Sequence, residues 1–188
     1  MPPGESDLNR PGQPAELEQA LVVLQRANAL QIEDQAFTDE LKRWLRFNPG
    51  MALETCDGLL SITSGNPSAP GWLGPLLFNL LFKKGPELRK MARQLRCSAG
   101  LAVFVAREES PTGWIEAGRS VERFALQATL LGVRHAHLNM PVEVAAVRPA
   151  FAEWLGMPGR RPDIVLRFGK APPMPMSVRR PIGEVFLP

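Results

Sequence analysis

From residue 14 onward, apolar side chains return at helical intervals. Leu17, Ala20, Leu21, Leu24 and Ala27 share one face and predict a helix to about Leu30, with Pro14 suited to its first turn. Ahead of it, Pro2, Pro3, Gly4, Pro11 and Gly12 deny residues 1–13 a regular element, so a flexible lead-in is expected there. Phe37, Leu41, Trp44 and Leu45 repeat the helical interval and predict a second helix over Glu33 to Phe47, closed by Asn48-Pro49-Gly50. The stretch Ser64 to Gly71 reads as an irregular loop, and Pro86 restarts a basic helix through Leu88, Met91, Ala92 and Leu95. Between them Leu73 to Phe82 is apolar all round, which suits a segment covering a core, a partner subunit or a cofactor pocket.

Beyond residue 100 the pattern sharpens. Leu101 to Ala106 is a continuous apolar run of strand length, as expected of a strand buried on both faces. Ser110-Pro111-Thr112 opens a long helix over about Gly113 to Leu131, with Trp114, Ala117, Val121, Phe124, Ala125, Ala128 and Leu131 facing inward, and Gly132 ends it. An extended segment follows over Val133 to Met140, then a helix over Val144 to Leu155, then a strand over Asp163 to Gly169. Helices come first, then strand, long helix, strand, helix, strand. That order predicts an α+β fold with a central sheet flanked by helices, in one domain over 14–188. The final stretch carries Pro172, Pro173, Pro175 and Pro181 and is expected to run as an extended tail over a surface.

Composition narrows the classes. The 188 residues, 45% of them hydrophobic and 22% charged, suit a folded globular chain. No apolar run approaches the ~20 residues a membrane-spanning helix needs. The start, Met-Pro-Pro-Gly-Glu-Ser-Asp, lacks the basic opening and apolar core of a secretion signal, so a cytoplasmic protein with reduced Cys56 and Cys97 is expected. A net charge of +3 supplies few phosphate contacts for a nucleic-acid binder. The charge is nevertheless uneven: Arg160, Arg161, Arg167, Lys170, Arg179 and Arg180 crowd the C-terminal stretch and would attract something anionic.

The motifs of hydrolases, zinc proteases and P-loop proteins are missing. His135 and His137 alternate on an expected strand and so share a face, but no third ligand stands near them, and no metal is expected. Asp39-Glu40 and Glu108-Glu109 read as surface pairs. Arg179-Arg180-Pro181 is the sharpest chemical feature, because a guanidinium grips phosphate through paired hydrogen bonds and keeps its charge at any working pH.

Three stretches together resemble a known family. Trp114 to Gly132, with Trp-Ile-Glu-Ala-Gly-Arg-Ser-Val-Glu-Arg-Phe-Ala-Leu-Gln-Ala-Thr-Leu-Leu-Gly, resembles the long central helix of the nitroreductase family, and more closely its Acg-type branch. Leu155 to Gly169 is similar to the strand before that family's tail, and Pro172-Pro173 with Arg179 to Val185 to its closing motif. The likeness covers about 100–188 and is weaker over 33–82, where Arg43 to Asn48 and Ser64 to Pro67 also look Acg-like.

The resemblance implies an FMN-binding homodimer with a nitroreductase-like central sheet. It would pass hydride from NAD(P)H through the flavin to a small nitroaromatic or quinone-like acceptor. A flavin-sequestering protein or an interaction protein on a degenerate nitroreductase fold is the alternative. By match, Arg179 would hold the FMN phosphate with Arg180 beside it, and His137, Leu138 and Asn139 would run along the flavin ring. Residues 65–85 would serve as a lid or dimer contact. The family's arginine–serine cluster near the first helices has no counterpart, and Ser177 stands where a lysine often precedes the tail arginine. Acg-type proteins are built from two nitroreductase-like halves, of which this chain resembles the second. Either two copies pair to rebuild the whole, or the site is a shortened one.

Overall fold

A computed structural model describes residues 14–186 and gives a mixed α+β chain. The described residues divide into two compact units, one formed by residues up to 31 together with 87–171, the other by 32–86 together with the tail from 172.

The first unit is organised by a three-stranded antiparallel sheet. Its strands are β3 (Gly100–Val105), β4 (Arg134–His137) and β5 (Pro162–Gly169), with β5 in the middle. Val103 lies opposite Val165, and His137 opposite Leu166. Side chains alternate across the sheet with the period of two that a strand imposes. Leu101, Val103 and Val165 join one buried cluster with Leu17, Leu21 and Leu24 of helix α1 (Pro14–Glu33), Met91 and Leu95 of α5 (Lys84–Arg96), and Phe151 of α8 (Arg148–Trp154). Ala102, Phe104 and Leu166 face the other way, against Val121 and Phe124 of α6 (Pro111–Leu130). The apolar run 101–105 is thus sandwiched on both faces, as its composition predicts.

Local rules explain several boundaries. Ser110 caps α6 by accepting the Gly113 N–H, and Pro111 fills the first position, where no donor is needed. The α6 stripe differs from expectation at both ends. Trp114 is exposed and holds the Arg161 guanidinium over its ring at 5.3 Å, and Leu131 lies outside the core. Helix α7 (Met140–Glu143) follows β4 directly. The helix expected over 144–155 begins only at Arg148, because Val144 to Val147 turn before Pro149 can take a first-turn position.

In the second unit α2 (Gln35–Trp44) is shorter than the expected Glu33 to Phe47. Asp34 caps it, its Oδ1 accepting the Ala36 N–H at 2.9 Å. The chain then straightens into β1 (Leu45–Arg46), which pairs in parallel with β2 (Leu59–Leu60). Asn48-Pro49-Gly50 starts a helix, α3 (Pro49–Thr55), instead of only stopping one. Asn48 Oδ1 accepts the Met51 N–H at 3.0 Å while Pro49 occupies the first turn. The Asn48 amide also donates to the Ala69 carbonyl at 3.1 Å and so pins the loop before α4 (Gly74–Leu81). Gly74 packs where a Cβ would stand 2.2 Å from the Phe47 ring. The tail runs without helix or strand over 170–181 and ends in α9 (Ile182–Val185). No helix among the described residues is long and apolar enough to cross a membrane. The lead-in expected over 1–13 lies outside the described residues.

Candidate functional site

The five residues implicated by the sequence fall into two groups, one in each unit. His137, Leu138 and Asn139 leave the end of β4 in the first unit. Arg179 and Arg180 belong to the tail of the second.

At the end of β4 the antiparallel ladder continues one step past His137, where the Leu138 N–H donates to the Val165 carbonyl at 2.9 Å. The backbone then turns into α7. The Asn139 side chain takes over the next rung, its Oδ1 accepting the Val165 N–H at 3.0 Å. A side chain therefore stands in for the missing strand residue, and Val165, fully buried, keeps both backbone groups satisfied. Leu138 is buried and its amide is spent. His137 is exposed, and Asn139 keeps its two amide hydrogens free of any partner among the described residues. His135, on the same sheet face, meets Phe124 edge-on at 6.3 Å. No group of three metal-ligating side chains exists among the described residues.

The tail arginines differ from each other. Arg180 donates from Nη2 to Asp57 Oδ2 at 3.2 Å, across 123 positions of sequence. Asp57 is gripped more closely by Arg46, whose Nη2 donates to Oδ1 at 2.6 Å. Arg46 is itself fixed on several sides: Nε donates to Thr55 Oγ1 at 2.9 Å, and Nη1 to the Arg43 carbonyl at 2.9 Å. The Arg46 guanidinium bonded to it, with the Thr55 hydroxyl next in effect, holds the Asp57 carboxyl below the usual carboxylate range. The tight turn that presents Asp57 depends on its neighbours. Cys56 ends α3 at φ 50°, and Gly58 sits at φ +78°, where a Cβ would stand 2.5 Å from the Trp44 carbonyl oxygen. Arg179 is exposed and has no partner among the described residues.

Asp57, with the Arg46 that grips it, is the partner of the tail arginines that sequence reasoning passes over. The usable signal was the Asp57-Gly58 dipeptide, a turn former set between a helix and a strand. The same unit holds an open apolar cleft of about 430 Å³ lined by Phe37, Leu41, Trp44, Leu59, Gly58 and Glu40. Within 65–85, the stretch expected to serve as a lid or dimer contact, Leu76 and Leu80 of α4 are exposed one turn apart, and Trp72 just before α4 is 75% exposed. A second, smaller cleft in the first unit is polar. There Arg161 bridges Glu109 at 3.2 Å, and Asp163 Oδ2 accepts the Ala106 N–H at 2.6 Å.

Each group can be tested by itself against the part of FMN that the resemblance gives it. An exposed, unpartnered guanidinium beside an anchored one suits a phosphate monoester, and a free carboxamide NH₂ suits the acceptor atoms of a flavin ring. Comparison of the chain with family models, with curated proteins and with solved structures gave no match.

Proposed function

We propose that this chain is an FMN-dependent oxidoreductase of nitroreductase type that works as a homodimer. It passes hydride from NAD(P)H through the flavin to a nitroaromatic or quinone-like acceptor. The observation that carries the reading is Arg179: an exposed guanidinium, without a partner among the described residues, next to Arg180, in the tail stretch that resembles the family's closing motif. Bound FMN would supply the redox chemistry, accepting and releasing hydride at its ring. The chain's own residues bind and orient it. Arg179 and Arg180 would take the phosphate; for the ring, the family resemblance points to His137, Leu138 and Asn139, of which the Asn139 amide has hydrogens to donate.

Self-association is supported by apolar exposure. Ile115, Leu126 and Leu130 of α6, and Trp72, Leu76, Leu80 and Leu81 in and beside α4, stand more than half exposed, and grouped exposed apolar side chains mark sites of association.

The first test is the visible absorption spectrum of the purified protein, followed by FMN titration. Flavin bands, with affinity for FMN lowered on Arg179→Ala, are the expected result, since a charge-assisted phosphate contact contributes ~1.5–3 kcal/mol. Oxidation of NAD(P)H with a nitroaromatic or a quinone then tests turnover. Flavin held without turnover would put the chain with flavin-storing proteins. Colourless protein indifferent to added FMN would refute both readings.

A further inference from the structure

We propose that Asp57 is the positioning residue of the tail's phosphate grip: clamped by Arg46, it holds Arg180 and thereby presents Arg179 to a phosphate monoester. This rests on the reading that the tail arginines hold the FMN phosphate.

Arg180 precedes Pro181, whose ring keeps the residue before it out of the helical region, so the chain does not coil at the arginine pair. Arg180 is drawn onto Asp57 at 3.2 Å, while its neighbour Arg179 stays exposed. The anchor itself is rigid. Arg46 is only 12% exposed and donates to a carboxylate, a hydroxyl and two carbonyls. Asp57 sits between two residues of positive φ, with Gly58 admitting the Trp44 carbonyl where no other residue would fit. Without this anchor, the stretch 170–181 has no regular element to fix its course.

The charges also match. Arg46, Arg179 and Arg180 against the Asp57 carboxylate leave a local charge of +2. A phosphate monoester carries about −1.5 to −2 at pH 7. Asp57 cancels one charge and lowers the mutual repulsion of the arginines without making the site neutral. A grip of three unpaired arginines would be disordered by its own repulsion, and a fully paired one would not attract an anion.

The test uses FMN and riboflavin, which differ only in the phosphate. Their affinities are measured by flavin-fluorescence titration for the wild type, Asp57→Asn, Asp57→Glu and Arg180→Gln. The wild type is expected to prefer FMN by at least about tenfold. Asp57→Asn and Arg180→Gln should each remove about tenfold in FMN affinity and leave riboflavin affinity unchanged, and Asp57→Glu should restore most of the preference. In ligand-free protein, backbone ¹⁵N relaxation should show greater mobility at Val178 to Arg180 in Asp57→Asn and in Arg180→Gln. Arg180→Gln alters an exposed tail position, so it remains informative if Asp57→Asn folds poorly. Equal losses for FMN and riboflavin in Asp57→Asn would make Asp57 a merely structural residue and overturn the proposal. Unchanged tail mobility in both variants would overturn it as well. Equal wild-type affinity for the two flavins is a different failure: it would remove the phosphate reading of the tail, and presentation with it, even where the relaxation data show the latch.

Discussion

Asn139 has one duty in the fold and one proposed at the flavin, and two substitutions at one position separate them. Its Oδ1 satisfies the Val165 N–H at 3.0 Å, and Val165 is fully buried between β3 and the chain leaving β4. Asn139→Ala leaves that N–H without an acceptor in a place water does not reach. A buried unsatisfied donor costs about 1–3 kcal/mol, so a loss of about 2 kcal/mol is expected. Asn139→Asp keeps an oxygen at the same place, and an ionised acceptor makes a hydrogen bond at least as strong. Its stability should stay within about 1 kcal/mol of the wild type. The aspartate, however, has no amide hydrogens to offer a flavin ring. Urea unfolding followed by far-UV circular dichroism reads the first duty, and FMN titration reads the second. The alanine variant should lose both, and the aspartate variant only the flavin. If Asn139→Ala unfolds within about 0.5 kcal/mol of the wild type, or if the aspartate loses as much as the alanine, the side chain is not the missing rung of the ladder. A wild-type flavin affinity in Asn139→Asp would take Asn139 away from the ring.

Gly58→Ala combines a left-handed backbone with overlap on the Trp44 carbonyl and should destabilise the second unit by ~2–4 kcal/mol, seen as faster hydrogen exchange over 45–60; unchanged exchange would refute the strain. Phe151→Ala empties the centre of the first unit's core, where the ring is fully buried and stacks on Trp154 at 5.6 Å, and should cost ~3–5 kcal/mol in urea unfolding, whereas Phe151→Leu should cost much less. The Asp57 carboxyl titrates lower in the folded chain than in the unfolded one, so its stabilising contribution is present above the ordinary carboxylate range near pH ~4 and is lost as pH falls through the depressed value. Tail mobility measured by ¹⁵N relaxation should therefore stay low from pH 8 down to about 5 and rise in more acid solution. In Asp57→Asn the tail should be mobile throughout.

The strand–helix–strand–helix–strand order was readable because each element carries its own period. Leu101 to Val105 alternates between two apolar faces, and Val121 and Phe124 fall on one side of a helix. Asn48-Pro49-Gly50 was misread because asparagine and proline serve equally at a turn and at a helix start. The choice was made by Met51 N–H, a partner that exists only once the helix forms. Trp114 fits the α6 stripe by spacing, but Arg161 offers its ring a cation, and spacing along α6 carries no trace of a residue on another element. The arginine pair of the tail was visible as a pair, yet the difference between its members was not. That difference depends on Asp57, 123 positions away from Arg180 and itself set by Arg46, 11 positions before it. Local patterns report local geometry, and the site is built from long-range contacts.

The two units also differ in what holds them, which sets how a ligand should act. Both buried apolar clusters, with the side chains packed against them, lie within residues 17–24 and 88–168, so the second unit contributes nothing to either. Its order rests on a small buried apolar set, Phe47, Ala52, Leu60 and Ala69, and on polar devices: the Asp34 and Asn48 caps, the Asn48 bond to Ala69, and the Arg46–Asp57–Arg180 hub. Such contacts each contribute little net free energy against the conformational entropy of the segments they fix. An anion bound at Arg179 would then add a large fraction of that unit's stability, about 2.7 kcal/mol at a ligand concentration one hundred times Kd. In hydrogen-exchange mass spectrometry this is about a hundredfold slowing over 45–60. Arg179→Ala at the same FMN concentration should show much less slowing. FMN that slows the β3 core and leaves 45–60 untouched would place the ligand elsewhere and refute the coupling.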